Sequence, residues 1–185
     1  MTKERPILFK TEMVRAILSG QKTQTRRILK EPRKDGHVHM GFLYRHKRVL
    51  NHLVAVLGKE KDGCTTSLHI KSPYGHIGDR LWVREKWNNS GSPFSFDASR
   101  ELPSTNMPRA ASRILLEIVN VRIERLKDIS RGDCMAEGCP FRNIKSETDP
   151  VQWFSERWKS ICGAGSWDQN PWVWVYEFKK VKGDQ

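Results

Sequence analysis

The chain has 185 residues, with 33 Lys and Arg against 21 Asp and Glu, giving a formal net charge of +12. This length fits one domain, residues 1–185, large enough to bury a core without disulfides or metals. Its 37% hydrophobic content lies outside the disordered range, and no apolar run reaches membrane-spanning length. Excess positive charge favours polyanionic partners and fast, salt-sensitive association. Half of that excess is local: Arg26 to Arg48 holds eight cations and two acids, a net of +6.

Pro6-Ile7-Leu8-Phe9 reads as a strand. Thr11 is positioned as the N-cap of a helix over Glu12–Ser19, in which Met13 with Ile17 and Val14 with Leu18 are the i, i+4 pairs of an apolar face. Gly20 is placed to end it as the C′ residue. Residues 31–76 read as a basic insertion built as a hairpin with mobile tips, with strands at Val49–Leu57 and Cys64–Ile70. Gly78-Asp79 turns into a strand over Arg80–Glu85, and residues 88–106, rich in Ser, Asn, Gly and Pro, form a long loop.

Arg113–Glu124 alternates as a strand, but its phase slips between Ile118 and Val119, which predicts a β-bulge or bend. Ser130 opens a capped helix running to Glu137 and stopped by Gly138. Asp149 as N-cap and Pro150 at N1 open a third helix with a buried stripe of Val151, Phe154, Trp158 and Ile161, ended by Gly163. Trp172–Phe178 is apolar on both faces and is expected to be a central strand. The order lacks βαβ alternation and carries no Rossmann or P-loop glycine signature, so the expected class is α+β, a small mixed barrel flanked by helices.

The four cysteines, Cys64, Cys134, Cys139 and Cys162, contain no CxxC pair and read as reduced thiols of a cytoplasmic protein. His37-Val38-His39 could hold a metal but reads better as solvated loop, so no metal site is assigned.

Three groups of residues could carry chemistry. The run Gly20–Arg27 places Lys22, Thr25, Arg26 and Arg27 directly after a helix. The arginine pair suits phosphate, and a lysine beside a threonine can activate the hydroxyl, although composition alone fits a solvated basic turn. Strict strand alternation would put Lys22 and Thr25 on opposite faces, so a bend is required. The preceding helix C-terminus also holds a proton on the Lys22 amine, and only burial or cationic neighbours would reverse that. Glu137 sits in the last turn of its helix, where the dipole opposes a carboxylate and favours a proton donor; an exposed helix-end glutamate is the commoner case. Trp82 and Arg84 share a strand face beside Glu85 and Trp87, equally a base-stacking wall or a core tryptophan with a rim ion pair. Arg109 and Arg113 could bind phosphate or pair with Glu85.

Taken in order, these motifs resemble a known family. Gly20, Lys22, Thr23, Thr25 and Arg27 spell G-x-K-T-x-T-x-R; Gly78–Glu85 spell G-D-x-L-W-V-R-E; Ala136–Gly138 give A-E-G; and W-V-W-V-x-E-F closes the chain. This pattern is similar to that of the ASCH family, whose β-barrel is related to PUA RNA-binding domains. M-P-R-x-A-S-R and N-P-W-V-W-V resemble the longer, prophage-associated ASCH proteins of enterobacteria. The resemblance covers most of the chain and is weakest over 31–76. It implies a PUA-like fold and a partner that is RNA or a modified nucleoside, with DNA a further candidate. Some small ASCH proteins are amidohydrolases acting on N4-acetylcytidine. Their residues map onto Lys22 as base, Thr25 as nucleophile and Glu137 as acid, with no cofactor. A non-catalytic reader of RNA or DNA, using the basic insertion (Arg45, Lys47, Arg48) and the tryptophan wall, is the second expectation. A ribonuclease with a divalent metal at Glu85, Asp79 or Glu137 is the third.

Overall fold

A computed structural model describes residues 2–30, 42–45, 54–61, 64–87, 102–140 and 149–181. In chain order the elements are β1 (Glu4–Leu8), α1 (Thr11–Leu18), β2 (Gln24–Ile28), β3 (Phe42–Arg45), β4 (Val54–Lys61), β5 (Cys64–Lys71), β6 (Arg80–Arg84), β7 (Leu115–Arg125), α2 (Arg131–Ala136), α3 (Pro150–Cys162) and β8 (Trp172–Lys180). The main sheet has five strands in the order β1-β6-β7-β8-β2, and β3-β4-β5 form a second, antiparallel sheet. Within the main sheet β1 and β6 run parallel and every other neighbour is antiparallel, so the protein is a mixed α+β fold.

Two apolar clusters explain why β8 is apolar on both faces. Trp174, Tyr176 and Phe178 point into a core shared with β1, α1, β6 and β7. Val173 and Val175 point to the other side, where they meet Leu126, Cys134 of α2, and Phe154 and Trp158 of α3. Strand alternation therefore divides one apolar run between two cores. As expected, β8 lies inside the sheet, paired on both edges. The phase slip in β7 is also real: its register against β8 shifts between Ile118 and Asn120.

The expected barrel is not closed by hydrogen bonds, since among the described residues no ladder joins the edge strands β1 and β2. A side chain spans the gap instead, the Arg27 Nη2 donating to the Leu8 carbonyl at 2.9 Å.

Helix ends follow mostly local chemistry. Ser130 and Asp133 form a capping box on α2, and the Asp149 carboxylate accepts from the Val151 amide at the start of α3. Gly20, Gly138 and Gly163 all have positive φ, as their stop positions require. Three expectations need correction. Thr11 is the first residue of α1; Lys10 is the N-cap and makes no side-chain cap. Leu18 and Ile161 are exposed, each lying at the end of its helix beyond the packed turns, and Ala16 is buried in place of Leu18. The first strand of the expected hairpin is β4 at Val54–Lys61, displaced toward β5, which brings the two strands into one continuous register. Residues 31–41, 46–53, 62–63 and 88–101 lie outside the described set, and with them the expected hairpin tips, His37-Val38-His39, Lys47, Arg48 and most of the loop at 88–106.

Candidate functional site

The site forms where the C-termini of α1 and α2 meet the start of β2. After α1, the amides of Gln21 and Lys22 both donate to the Ala16 carbonyl, and Thr23 donates to the Ala136 carbonyl at the end of α2. Lys22 therefore lies in a tight connection ahead of the strand, which supplies the bend needed for Lys22 and Thr25 to line one cavity. Gly138 makes this approach possible. A Cβ there would meet the Ala16 Cβ at 3.2 Å and the Lys22 Cβ at 3.3 Å, and its φ of +97° is one that side-chain-bearing residues rarely adopt.

Lys22 is buried, and its amine donates three hydrogen bonds: 2.6 Å to Glu137 Oε2, 2.9 Å to the Glu137 carbonyl and 2.7 Å to the Gln24 carbonyl. Burial pulls its pKa below the ordinary lysine value, against the neighbouring Glu137 carboxylate, while Arg27 and Arg157 lower it further. The expected effect of the helix end is thus overridden by the condition the sequence left open, burial with cationic neighbours.

Glu137 caps α2 and accepts from both Lys22 and Arg26, whose Nη1 lies 3.1 Å from Oε1. These two cations offset the unfavourable helix end. Arg26 is itself buried and bound on several sides: Glu124 Oε1 at 2.6 Å, Asp133 Oδ2 at 3.4 Å and the Gln24 side-chain oxygen at 2.6 Å. Arg122 extends the network to Glu124, Asp133 and Glu177. The pairing of Arg26 and Arg27 as a phosphate clamp is corrected by this geometry, because the Arg26 guanidinium is committed to carboxylates inside the fold.

Lys22, Thr25, Arg26, Arg27 and Glu137 all line one open cavity of about 650 Å³. Among the described residues the Thr25 hydroxyl makes no hydrogen bond. α3 also lines the cavity, through Trp153, Phe154, Arg157 and Trp158, and Phe9 and Tyr74 add further aromatic surface. Sequence reading treated the α3 stripe as core only. Its aromatic density was the signal available, but the same spacing serves a core and a pocket wall alike. Gln24, Glu124 and Arg157 were not singled out at all, since each acts through partners distant in sequence.

The remaining candidates lie elsewhere. Arg84 stacks over Trp82 at 4.7 Å, Arg113 holds the buried Glu85 through 2.9 and 3.1 Å hydrogen bonds, and Arg109 pairs with Glu4 at 2.8 Å. None of these residues lines the cavity. Trp82 is buried in the sheet, so the stacking wall expected on β6 is absent from this cavity, and its aromatic surface comes from other elements. Asp79 is bound by Arg5, the Lys3 amide and the His76 amide. Glu85, Asp79 and Glu137 thus stand in three separate ion-paired settings, and among the described residues no group of three His, Cys, Asp or Glu side chains is placed to hold a metal. Cys134 is buried and its thiol is pushed up to about 12 by that burial, which keeps it protonated and inert. Among the described residues no helix is long and apolar enough to cross a membrane.

One solved structure can be set beside this fold. The ASCH domain from Lactobacillus crispatus JV V101 is similar over 96% of this chain and 79% of that one, with a TM-score of 0.44 and 13% identity. No family model matches the sequence, and no curated protein matches it.

Proposed function

We propose that this protein binds RNA or a modified nucleoside in the cavity beside Lys22, Thr25 and Glu137, and hydrolyses an N-acyl cytidine there. The observation that carries this reading is the buried 2.6 Å contact between the Lys22 amine and the Glu137 carboxylate, on the wall of a cavity that Thr25 also lines. The ordered motifs that resemble the ASCH family support the same three residues. The cavity is also large enough for a nucleoside, and its aromatic walls suit a base.

In this mechanism one proton is shared within the Lys22–Glu137 pair. With that proton on Glu137, the neutral Lys22 amine takes the proton of the Thr25 hydroxyl as its oxygen attacks the acyl carbon. The carbon–nitrogen bond then breaks, and Glu137 gives its proton to the leaving exocyclic amine. Water hydrolyses the acyl-threonine, releasing the carboxylate and restoring Thr25. Burial lowers the Lys22 pKa, which favours the neutral amine that the chemistry needs. Arg27, which lines the same cavity, steadies the carbonyl oxygen as charge develops in this mechanism. The reaction draws on no cofactor.

Incubation with N4-acetylcytidine tests this directly. Wild type should release cytidine, while Thr25→Ala and Lys22→Ala should each lose at least about a hundredfold in rate. Equal turnover in all three proteins removes the mechanism.

One observation favours a second reading, binding without chemistry. Each of the three amine protons of Lys22 already has an acceptor, as in a purely structural lysine. Under that reading RNA binds, affinity falls with salt, and no product appears.

A further inference from the structure

The charges around the cavity are unevenly matched. Seven cationic side chains line it against a single acid, Glu137. Lys22 and Arg26 are paired with that acid, and Arg157 is held by Glu12 at 2.8 Å. Four cations remain, namely Lys10, Arg27, Lys30 and Lys71, and among the described residues none of these has a carboxylate within ion-pair distance. Arg27 donates only to the carbonyls of Leu8 and Arg26, while Lys10, Lys30 and Lys71 are exposed.

These four come from three separate parts of the chain. Lys10 joins β1 to α1, Arg27 and Lys30 lie in and just after β2, and Lys71 ends β5. Folding gathers them around one opening, where they repel one another unless an anion is present. The interior differs in character, with Phe9, Tyr74, Trp153 and Phe154 supplying aromatic surface. A neutral nucleoside would use the aromatic interior and leave the cations unmatched. A base carrying phosphate would use both.

We propose that the cavity takes its nucleoside in phosphorylated form, as a nucleotide or as one position in a nucleic-acid strand, with Lys10, Lys30 and Lys71 holding phosphate at the mouth. This deepens the nucleoside reading above and rests on it. The base enters between the aromatic side chains, and the phosphate stays outside, where the flexible lysines keep it hydrated and exchangeable. Because the contact is electrostatic, it is screened by salt.

The experiment is calorimetric titration of the full chain with cytidine, cytidine 5′-monophosphate and a short single-stranded oligocytidine RNA. Each is measured with wild type and with the triple variant Lys10→Gln, Lys30→Gln, Lys71→Gln, which changes exposed side chains only. In low salt the monophosphate should bind about tenfold more tightly than cytidine. The triple variant should lose that gain while keeping the affinity for cytidine. A single nucleotide is the ligand if the oligomer binds no better than the monophosphate. A strand is the ligand if the oligomer binds better still, and the triple variant should then lose about two units of its salt slope. Equal affinity for cytidine and both phosphorylated ligands overturns the inference, as does a triple variant that behaves like wild type. Lysine-dependent binding of phosphorylated ligands without any binding of cytidine keeps the phosphate contact and removes the nucleoside pocket. No binding by any of the three removes both.

Discussion

Among the described residues three buried carboxylates, Asp79, Glu85 and Glu137, are gripped by cations, and the contrast is sharpest between Glu85 and Glu137, of which only Glu137 lines the cavity. At the end of β6, Glu85 is held by a single guanidinium, that of Arg113, whose side chain is 33% exposed. At the end of α2, Glu137 is held by Lys22 and Arg26, whose side chains are 2% and 1% exposed. The first arrangement pins the end of a strand to the residues before β7. The second buries an amine deeply enough to weaken its hold on a proton and sets it beside an open hollow. Each arrangement is a glutamate held by cations; depth of burial and access to space set the Lys22–Glu137 pair apart from the Arg113–Glu85 pair.

The comparison is broken most severely by removing the acid on each side. Glu137→Ala leaves two buried cations without their shared partner and should cost about 3–5 kcal/mol of unfolding free energy in urea titration. Gly138→Ala should follow at about 1–3 kcal/mol, because it combines a positive φ with a close approach to Ala16 and Lys22. It should also displace Lys22 and so lower any hydrolytic rate. Glu85→Gln should cost less, about 1 kcal/mol, because the amide oxygen still accepts from the Arg113 guanidinium, whose side chain is partly exposed. If Glu85→Gln proves as damaging as Glu137→Ala, the distinction between the two regions falls.

The smallest effect is a dependence on pH, and it sharpens the same contrast. Lys22 has its pKa lowered by burial, so the unfolded chain binds more protons than the folded one between the depressed value and the ordinary lysine value of 10.5. Stability contributed at this position therefore rises with pH across that window, and the cost of burying the charge is greatest below it. Measured against Lys22→Met over the same range, wild type should gain stability toward alkaline pH. A difference that stays flat, or that shrinks as pH rises, would mean that Lys22 is held as an ordinary ammonium.

Much of this architecture was legible in the chain. Ser130 with Asp133, Asp149 with Pro150, and the glycines at 20, 138 and 163 fix helix ends through interactions within a few residues, so their chemistry is readable in place. The phase slip near Ile118 was readable for the same reason, since side-chain alternation is a local property of a strand. The burial of Leu18 and Ile161 was misread because periodicity gives the face of a helix and says nothing of where the neighbouring element stops. Arg26 and Arg27 were indistinguishable in sequence, yet one is sealed among Glu124, Asp133 and Glu137 and the other bridges two strand edges.

By itself, then, the sequence determined the strand and helix order apart from β2 and β3, most helix ends, the bulge and the basic balance, because short-range geometry and composition set these. It also singled out Lys22, Thr25 and Glu137 as residue types able to do chemistry. Only the tertiary structure decided that the lysine and the acid meet at 2.6 Å across 115 positions of chain, and that all three line one cavity. Burial, pairing and access to a hollow depend on elements far apart in sequence, and those are the quantities that turn an ordinary lysine into a weakened base.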